Sequence, residues 1–306
     1  MMTRRQLLGT AAAGMALAAV HGPRAAVAAQ AEPTGPLKLK KAVKIGMVGG
    51  EAKGLPLAEK FSLVKRIGYD GIELNSPSSL DEKEVLAAID TSGLPVHGVV
   101  DSVHWNQTLS HADPAVRQQG LDGLKTALKD AKTYGATTVL LVPAVVNKEV
   151  YYADAYIRSQ AEIRKAIPLA EELGIRILFE NVWNEFLLSP LEAARYIDEF
   201  ESDAVGAYFD VGNVVRYGWP QHWVAALCKR IGKLDVKEFS RDKMKDEGLR
   251  KGFDVEIGEG DCDWPEVRKE LKAIGFTDGW ATAEVAGGGE ERLTEILKRM
   301  QNVLDA

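Results

Sequence analysis

Ile175-Arg176-Ile177-Leu178-Phe179-Glu180 is a short apolar run closed by a carboxylate, and the pattern returns three more times before the chain ends. Val205-Gly206-Ala207-Tyr208-Phe209 closes on Asp210, Ile231-Gly232-Lys233-Leu234 on Asp235, and Gly279-Trp280-Ala281-Thr282-Ala283 on Glu284. Short apolar runs bounded by turn residues read as buried strands. Carboxylates are seldom buried unless they are paired or bound to a metal. One acid at a strand end is ordinary. Four on successive strands predict a shared site, and one divalent cation is the simplest way to hold them together. Taken singly, each has a plainer reading. Glu180 and Glu284 read as rim acids, Asp210 as a turn cap, and Asp235 as a salt-bridge partner of Lys237, two residues further along the strand.

Working outward, the chain alternates strand and helix patterns throughout. Strands are predicted at 43–48, 71–75, 95–101, 138–143, 175–180, 205–210, 233–238 and 280–285. Helical spacing fills the gaps, as in Leu57, Phe61, Val64 and Ile67; in Ile163, Ile167, Ala170 and Leu173; and in Leu293, Ile296, Leu297, Met300, Val303 and Leu304. Ser189-Pro190-Leu191-Glu192 is a capping box with proline in the first turn, and Asp263-Trp264-Pro265-Glu266 repeats the device. Gly68, Gly93, Gly135, Gly174 and Gly275 follow helices, where a left-handed residue ends the turn. Eight such units predict an α/β chain closed into a (β/α)8 TIM barrel, whose strand C-terminal ends form the active face. A doubly wound open sheet shares the alternation. It carries a phosphate-cradling glycine motif after its first strand, and Gly49-Gly50-Glu51-Ala52-Lys53-Gly54 does not fit that motif.

The amino-terminal segment stands apart. Thr3-Arg4-Arg5-Gln6-Leu7-Leu8 precedes a small-residue apolar run over 9–20, and Ala26-Val27-Ala28 supplies an A-x-A cleavage site. Residues 1–28 therefore read as an export signal, with paired arginines of the twin-arginine type, leading to a periplasmic destination without stable membrane insertion. Residues 29–40 read as a linker and 41–306 as one barrel domain, since about 250 residues is usual for that fold. Apolar content of 46% and charged content of 27% are those of a globular chain. A net charge of −6 disfavours nucleic acid as a partner. Two cysteines, Cys228 and Cys262, give neither a disulfide framework nor a cysteine zinc site, and Cys228 is expected to be buried. Outer-helix patterns of a barrel do not discriminate between oligomeric states.

Several longer stretches resemble the xylose isomerase-like barrels, which include sugar and sugar-phosphate isomerases and epimerases. The resemblance runs from about residue 43 to the end. It is carried by Phe179-Glu180-Asn181, by Phe209-Asp210-Val211-Gly212-Asn213, and by Asp235-Val236-Lys237-Glu238. Gly258-Glu259-Gly260-Asp261-Cys262-Asp263-Trp264, followed by Ala283-Glu284, resembles the family's G-E-G-x-x-D-W segment between strands seven and eight. The resemblance implies one divalent ion held by acids and a histidine from strands five to eight, with Glu180, Asp210 and Glu284 matching three ligands. Asp235 stands where the family has a histidine, and Asn213 replaces a second common histidine. An all-oxygen set of Glu180, Asp210, Asp235 and Glu284 favours Mn²⁺ or Mg²⁺ over Zn²⁺. The resemblance also casts Glu180 and Glu284 as the pair that removes and returns a carbon-bound proton through an enediolate.

Substrate contacts are expected from His104 and Trp105 after strand three, from Trp183 and Asn184 after Glu180, and from Asn213, Lys237 and Arg241. Glu73 reads as a rim acid, Arg216 and Trp219 as residues that close the pocket or simply pack, and His97 as core. The leading expectation is a metal-dependent isomerase or epimerase acting on a small α-hydroxy carbonyl sugar. Two alternatives stay open: a lyase or glycoside-cleaving enzyme that expels a β-leaving group from a 3-keto sugar, and a non-catalytic sugar-binding barrel. A DNA-repair endonuclease on this barrel would need several histidine ligands, whereas the mature part has only His97, His104, His111 and His222.

Overall fold

In the computed structural model, which describes residues 37–306, eight parallel strands close into a barrel in sequence order. They are β1 (Lys38–Lys44), β2 (Gly71–Ser76), β3 (Val96–Asp101), β4 (Thr138–Leu141), β5 (Arg176–Glu180), β6 (Val205–Asp210), β7 (Ile231–Val236) and β8 (Asp278–Ala283). The export signal and most of the linker read from the sequence lie outside the described residues. Lys38–Lys40, assigned above to that linker, belong to β1.

The first strand is the largest departure from the sequence reading. Val43–Val48 is apolar enough to look like a strand, but Ile45–Met47 form a 3-10 turn at the mouth. The real strand hides under lysines. Leu39 and Val43 are buried with the outer core, while Lys40, Ala42 and Lys44 alternate onto the other face. Six residue pairs join β1 to β8, from Lys38–Asp278 to Val43–Ala283, and close the ring.

Period-two alternation separates two apolar layers. Val139, Ile177, Phe179 and Phe209 pack into the large cluster shared with the helices. Leu140, Leu178 and Tyr208, their alternates, form a separate small cluster joined by Val100, which therefore fills the barrel interior. Below the mouth that interior turns polar. Lys233 Nζ lies 2.9 Å from His97 Nδ1, His97 Nε2 meets Thr282 Oγ1 at 3.2 Å, and Thr282 Oγ1 meets the Tyr208 hydroxyl at 2.7 Å. The same hydroxyl donates to Glu73 Oε1 at 3.2 Å, and Trp280 stacks on the His97 ring. His97 is thus core, as expected. Glu73 is a correction: it is buried inside the barrel, not at the rim.

The helices follow their spacing with local exceptions. The helix Glu290–Leu304 buries all six residues that the periodicity picks out. The pattern through Ile163 and Leu173 is two helices, Tyr152–Arg164 and Ile167–Leu173, because Pro168 lacks the N–H needed to carry one helix across the join. Ser189 caps Pro190–Asp198 through Glu192 N–H, as its capping box predicts. Asp263 does not repeat the device: it is left-handed and its side chain caps nothing. Cys262 is buried, whereas Cys228 is only half-buried, the reverse of the emphasis expected from its helix. No helix among the described residues is long and apolar enough to cross a membrane.

What holds the 258–264 segment is Glu238, just past β7. Its Oε2 accepts from Gly258 N–H at 2.7 Å and from the Trp264 indole N–H at 2.9 Å, and its Oε1 accepts from Cys262 N–H at 3.2 Å. A Cβ at Gly260 would fall 2.6 Å from that Oε1, so glycine lets the loop wrap the carboxylate. Glu238→Ala strands these buried donors. It is expected to cost about 3 kcal/mol or more, with Glu238→Gln costing less, as read from urea unfolding midpoints.

Asp101, the last residue of β3, makes a second point about buried acids. Burial raises its pKa to about 7, against the N–H that Val103 donates at 3.1 Å. The folded state therefore binds the extra proton between the ordinary value of 3.8 and about 7. The stability this confers is complete at low pH and is lost as pH rises through 7. Asp101→Asn is expected to leave stability unchanged at pH 4 and to raise it by roughly 1–3 kcal/mol at pH 8, measured by urea unfolding at both pH values.

Candidate metal centre and sugar pocket

Strand register brings the four carboxylates together. Asp210 on β6 pairs in register with Asp235 on β7, and Asp235 pairs with Thr282 on β8. Glu284 lies two residues beyond Thr282 and so shares its face. Glu180 closes β5 opposite Tyr208, two residues before Asp210. One oxygen from each of Glu180, Asp210, Asp235 and Glu284 lies within 4.8 Å of the others. Oxygen ligands at roughly 2.0–2.6 Å from one cation stand up to about 5 Å apart, so the spacing fits a single ion. Two buried oxygens, Asp235 Oδ1 and Asp210 Oδ2, accept no hydrogen bond. Asp235 Oδ1 has no partner at all, a buried oxygen of that kind is costly, and a divalent cation would satisfy this donor set.

Two ammonium groups already serve the cluster. Lys44, the last residue of β1, donates to Asp235 Oδ2 at 2.8 Å and to Glu284 Oε2 at 2.9 Å. Lys237 lies 3.1 Å from Asp210 Oδ2, as an ion pair without hydrogen-bond geometry, and 3.5 Å from Glu284 Oε2. The salt bridge expected between Asp235 and Lys237 is therefore not formed; each found another partner. Burial works against both lysine charges, but the neighbouring acids outweigh it and both pKa values are raised. The acids diverge. Burial and then the Glu284 charge push Glu180 up to about 8. Burial pushes Glu284 the same way, but Lys44 and Lys237 overcome it and hold it down at about 2. Burial raises Asp210 and Asp235.

The loops after β5 and β6 are lashed together by side-chain amides. Asn181 Nδ2 donates to the Asp210 carbonyl at 2.8 Å, and Asn181 Oδ1 accepts from Asp210 N–H at 2.9 Å. Asn213 donates its backbone N–H to Asp210 Oδ1 at 2.7 Å and its amide to the Asn181 carbonyl at 3.0 Å. Trp183 donates its indole N–H to the Asn213 carbonyl at 2.8 Å. These bonds account for the asparagines in both sequence motifs: they fix the Asp210 carboxylate and the two strand ends around it.

Above the carboxylates opens a cavity of about 830 Å³. Of the expected substrate contacts, His104, Trp105, Trp183, Asn213 and Lys237 line it. His104 is buried, its Nδ1 accepts from Val142 N–H at 3.2 Å, and burial with the Lys44 charge lowers its pKa to about 3. It is a neutral imidazole held in one tautomer. Trp105 is exposed, and Trp183 packs against Phe239 and Phe253 with Arg216 over its ring.

Arg241 is a correction. It does not line the cavity, because its guanidinium is spent on the carbonyls of Val215 at 3.0 Å and Gly218 at 2.6 Å, with Trp219 beneath it. Asn184 is likewise structural, donating to the Ala144 carbonyl. The sequence reading missed Lys44, along with Asp101, Arg250 and Phe253 of the cavity wall. Lys44 had a signal, a cation closing a strand, but the displaced first strand concealed it.

The sequence profile of the xylose isomerase-like TIM barrel family matches residues 61–303. Over 279 residues the chain is 23% identical to L-ribulose-5-phosphate 3-epimerase UlaE of Escherichia coli O1:K1 / APEC, covering 85% of this chain and 93% of that one. Its fold resembles that of the E. coli 3-keto-D-glucoside 4-epimerase YcjR, with a TM-score of 0.70 at 17% identity over 87% of this chain and 99% of that one. It also resembles the IOLI protein solved with a bound zinc atom, with a TM-score of 0.70 at 18% identity over 87% and 98% of the two chains. The closed eight-stranded barrel and the match over most of its length place this chain in the xylose isomerase-like TIM barrel family.

Proposed function

We propose that the protein is a divalent-cation-dependent sugar epimerase or isomerase that moves a proton on the carbon beside a carbonyl, through an enediolate. One observation carries the reading: two glutamates and two aspartates from β5 to β8 converge at the floor of a sugar-sized cavity, with the buried Asp235 Oδ1 left without a partner. Membership of the family, and the sugar epimerases among its similar proteins, support it. Glu180, Asp210, Asp235 and Glu284 would hold the cation, and oxygen-only donors favour Mn²⁺ or Mg²⁺ over Zn²⁺. When bound, the cation supplies Lewis-acid stabilisation of negative charge on adjacent substrate oxygens.

The protein's own groups move the proton. Glu284, kept ionised by Lys44 and Lys237, suits the acceptor. Glu180, the other glutamate of the cluster and also a wall of the cavity, suits the group that returns the proton, and the reverse reaction exchanges the roles. His104, a neutral imidazole, and the exposed Trp105 ring suit a hydroxyl and a sugar face. A second reading, β-elimination from a 3-keto glycoside, is favoured by cavity size: about 830 Å³ is at the upper end of small-molecule pockets and leaves room for an aglycone. The paired arginines and A-x-A site of the amino-terminal segment support export by the twin-arginine route, which suits a substrate without phosphate.

The test is solvent-deuterium uptake by a panel of free ketoses and 3-keto glycosides with Mn²⁺ or Mg²⁺ present. Wild-type protein is expected to place deuterium on the carbon beside the carbonyl, and an epimerised sugar or a released aglycone tells the two readings apart. Glu180→Gln and Glu284→Gln are each expected to lower exchange at least ~100-fold with an unchanged circular dichroism spectrum. Wild-type exchange in either variant removes that residue from proton transfer, and sugar binding without exchange makes the barrel a binding protein.

A further inference from the structure

We infer that Lys44 is a built-in counter-ion of the carboxylate cluster that sets how tightly the cluster holds a divalent cation. The inference rests on the reading of the cluster as a cation site. Its basis is geometric. The Lys44 ammonium touches two of the four candidate ligands, at 2.8 Å from Asp235 Oδ2 and 2.9 Å from Glu284 Oε2. Its side chain is 15% exposed and the Asp235 carboxylate is fully buried, so water screens this pair little. The ammonium also shares Glu284 Oε2 with Lys237, which covers Asp210. Glu180 forms no salt bridge among the described residues.

Charge balance follows from these pairs. Carboxylates bind a cation in their deprotonated form, and four of them ionised against two ammonium groups leave two negative charges, which one divalent cation neutralises. Remove Lys44 and three remain, so a divalent cation meets a deeper well and no fixed positive charge between Asp235 and Glu284. The site is thus built to bind its cation less tightly than four bare carboxylates would. The carbon chain that delivers the charge comes from β1, across the seam where Val43 pairs with Ala283, the residue before Glu284.

The experiment is isothermal titration of metal-stripped full-length protein with MnCl₂, for wild type, Lys44→Gln and Lys44→Arg. Lys44→Gln keeps a hydrogen-bond donor and drops the charge. It is expected to bind Mn²⁺ at least tenfold more tightly, and Lys44→Arg, which keeps the charge, to stay within about threefold of wild type. Lys44→Met, with a similar stem, serves if the glutamine variant does not fold. Unchanged or weaker binding by the neutral variants, with normal wild-type binding, overturns the role of Lys44 and leaves the cation site standing. Failure of wild type to bind Mn²⁺, Mg²⁺ or Zn²⁺ overturns the cation site itself.

Discussion

Four carboxylates gathered at the dry floor of a barrel mouth repel one another, and the rest of this structure is organised around making that arrangement tolerable. Compensation comes from several directions. Lys44 and Lys237 bring positive charge to within hydrogen-bonding or ion-pairing distance. Asn213 presents its backbone N–H to Asp210. What these leave without any partner is Asp235 Oδ1, and the four acids together could hold one divalent cation. The strongly unequal titration of Glu180 and Glu284 has the same origin, since both lysines contact Glu284, whereas at Glu180 burial and the Glu284 charge outweigh them.

The acidic half of the site was legible in the sequence for a simple physical reason. In a parallel barrel each strand ends at the same face, so a carboxylate at the end of an apolar run has only one place to go. Glu180, Asp210, Asp235 and Glu284 followed that rule without exception. The basic half was not legible. Lys44 ends a strand whose pattern, Lys38-Leu39-Lys40-Lys41-Ala42-Val43-Lys44, carries too few apolar residues to be recognised. It is tolerated because Lys40 lies over the Trp280 ring and Lys41 pairs with Asp305. Arg241 failed for the opposite reason. Distance along the chain from Asp235 placed it near the site, but backbone carbonyls of the β6 loop captured its guanidinium first.

Residues that look catalytic in a motif proved to be divided between chemistry and carpentry. Glu238 adjoins Lys237 and is as buried as Asp210 and Asp235, yet its oxygens are used up by the backbone N–H groups and indole of the 258–264 loop. Asn181 and Asn213 hold strand ends in place. Sequence cannot separate these cases, because the deciding fact is whether a polar atom has spare valence after folding. Asp235 Oδ1 has it and the Glu238 oxygens do not.

The seam between β1 and β8 has a consequence for the order in which this molecule can assemble. The first strand made on the ribosome must wait for the last before the ring closes, and Lys44 reaches Glu284 across that seam. Until then Asp210 and Asp235 lack the Glu284 carboxylate, and half of the compensating charge is absent. A nascent chain with β5 to β7 formed therefore carries only part of the ligand set. The complete centre is a property of the closed ring.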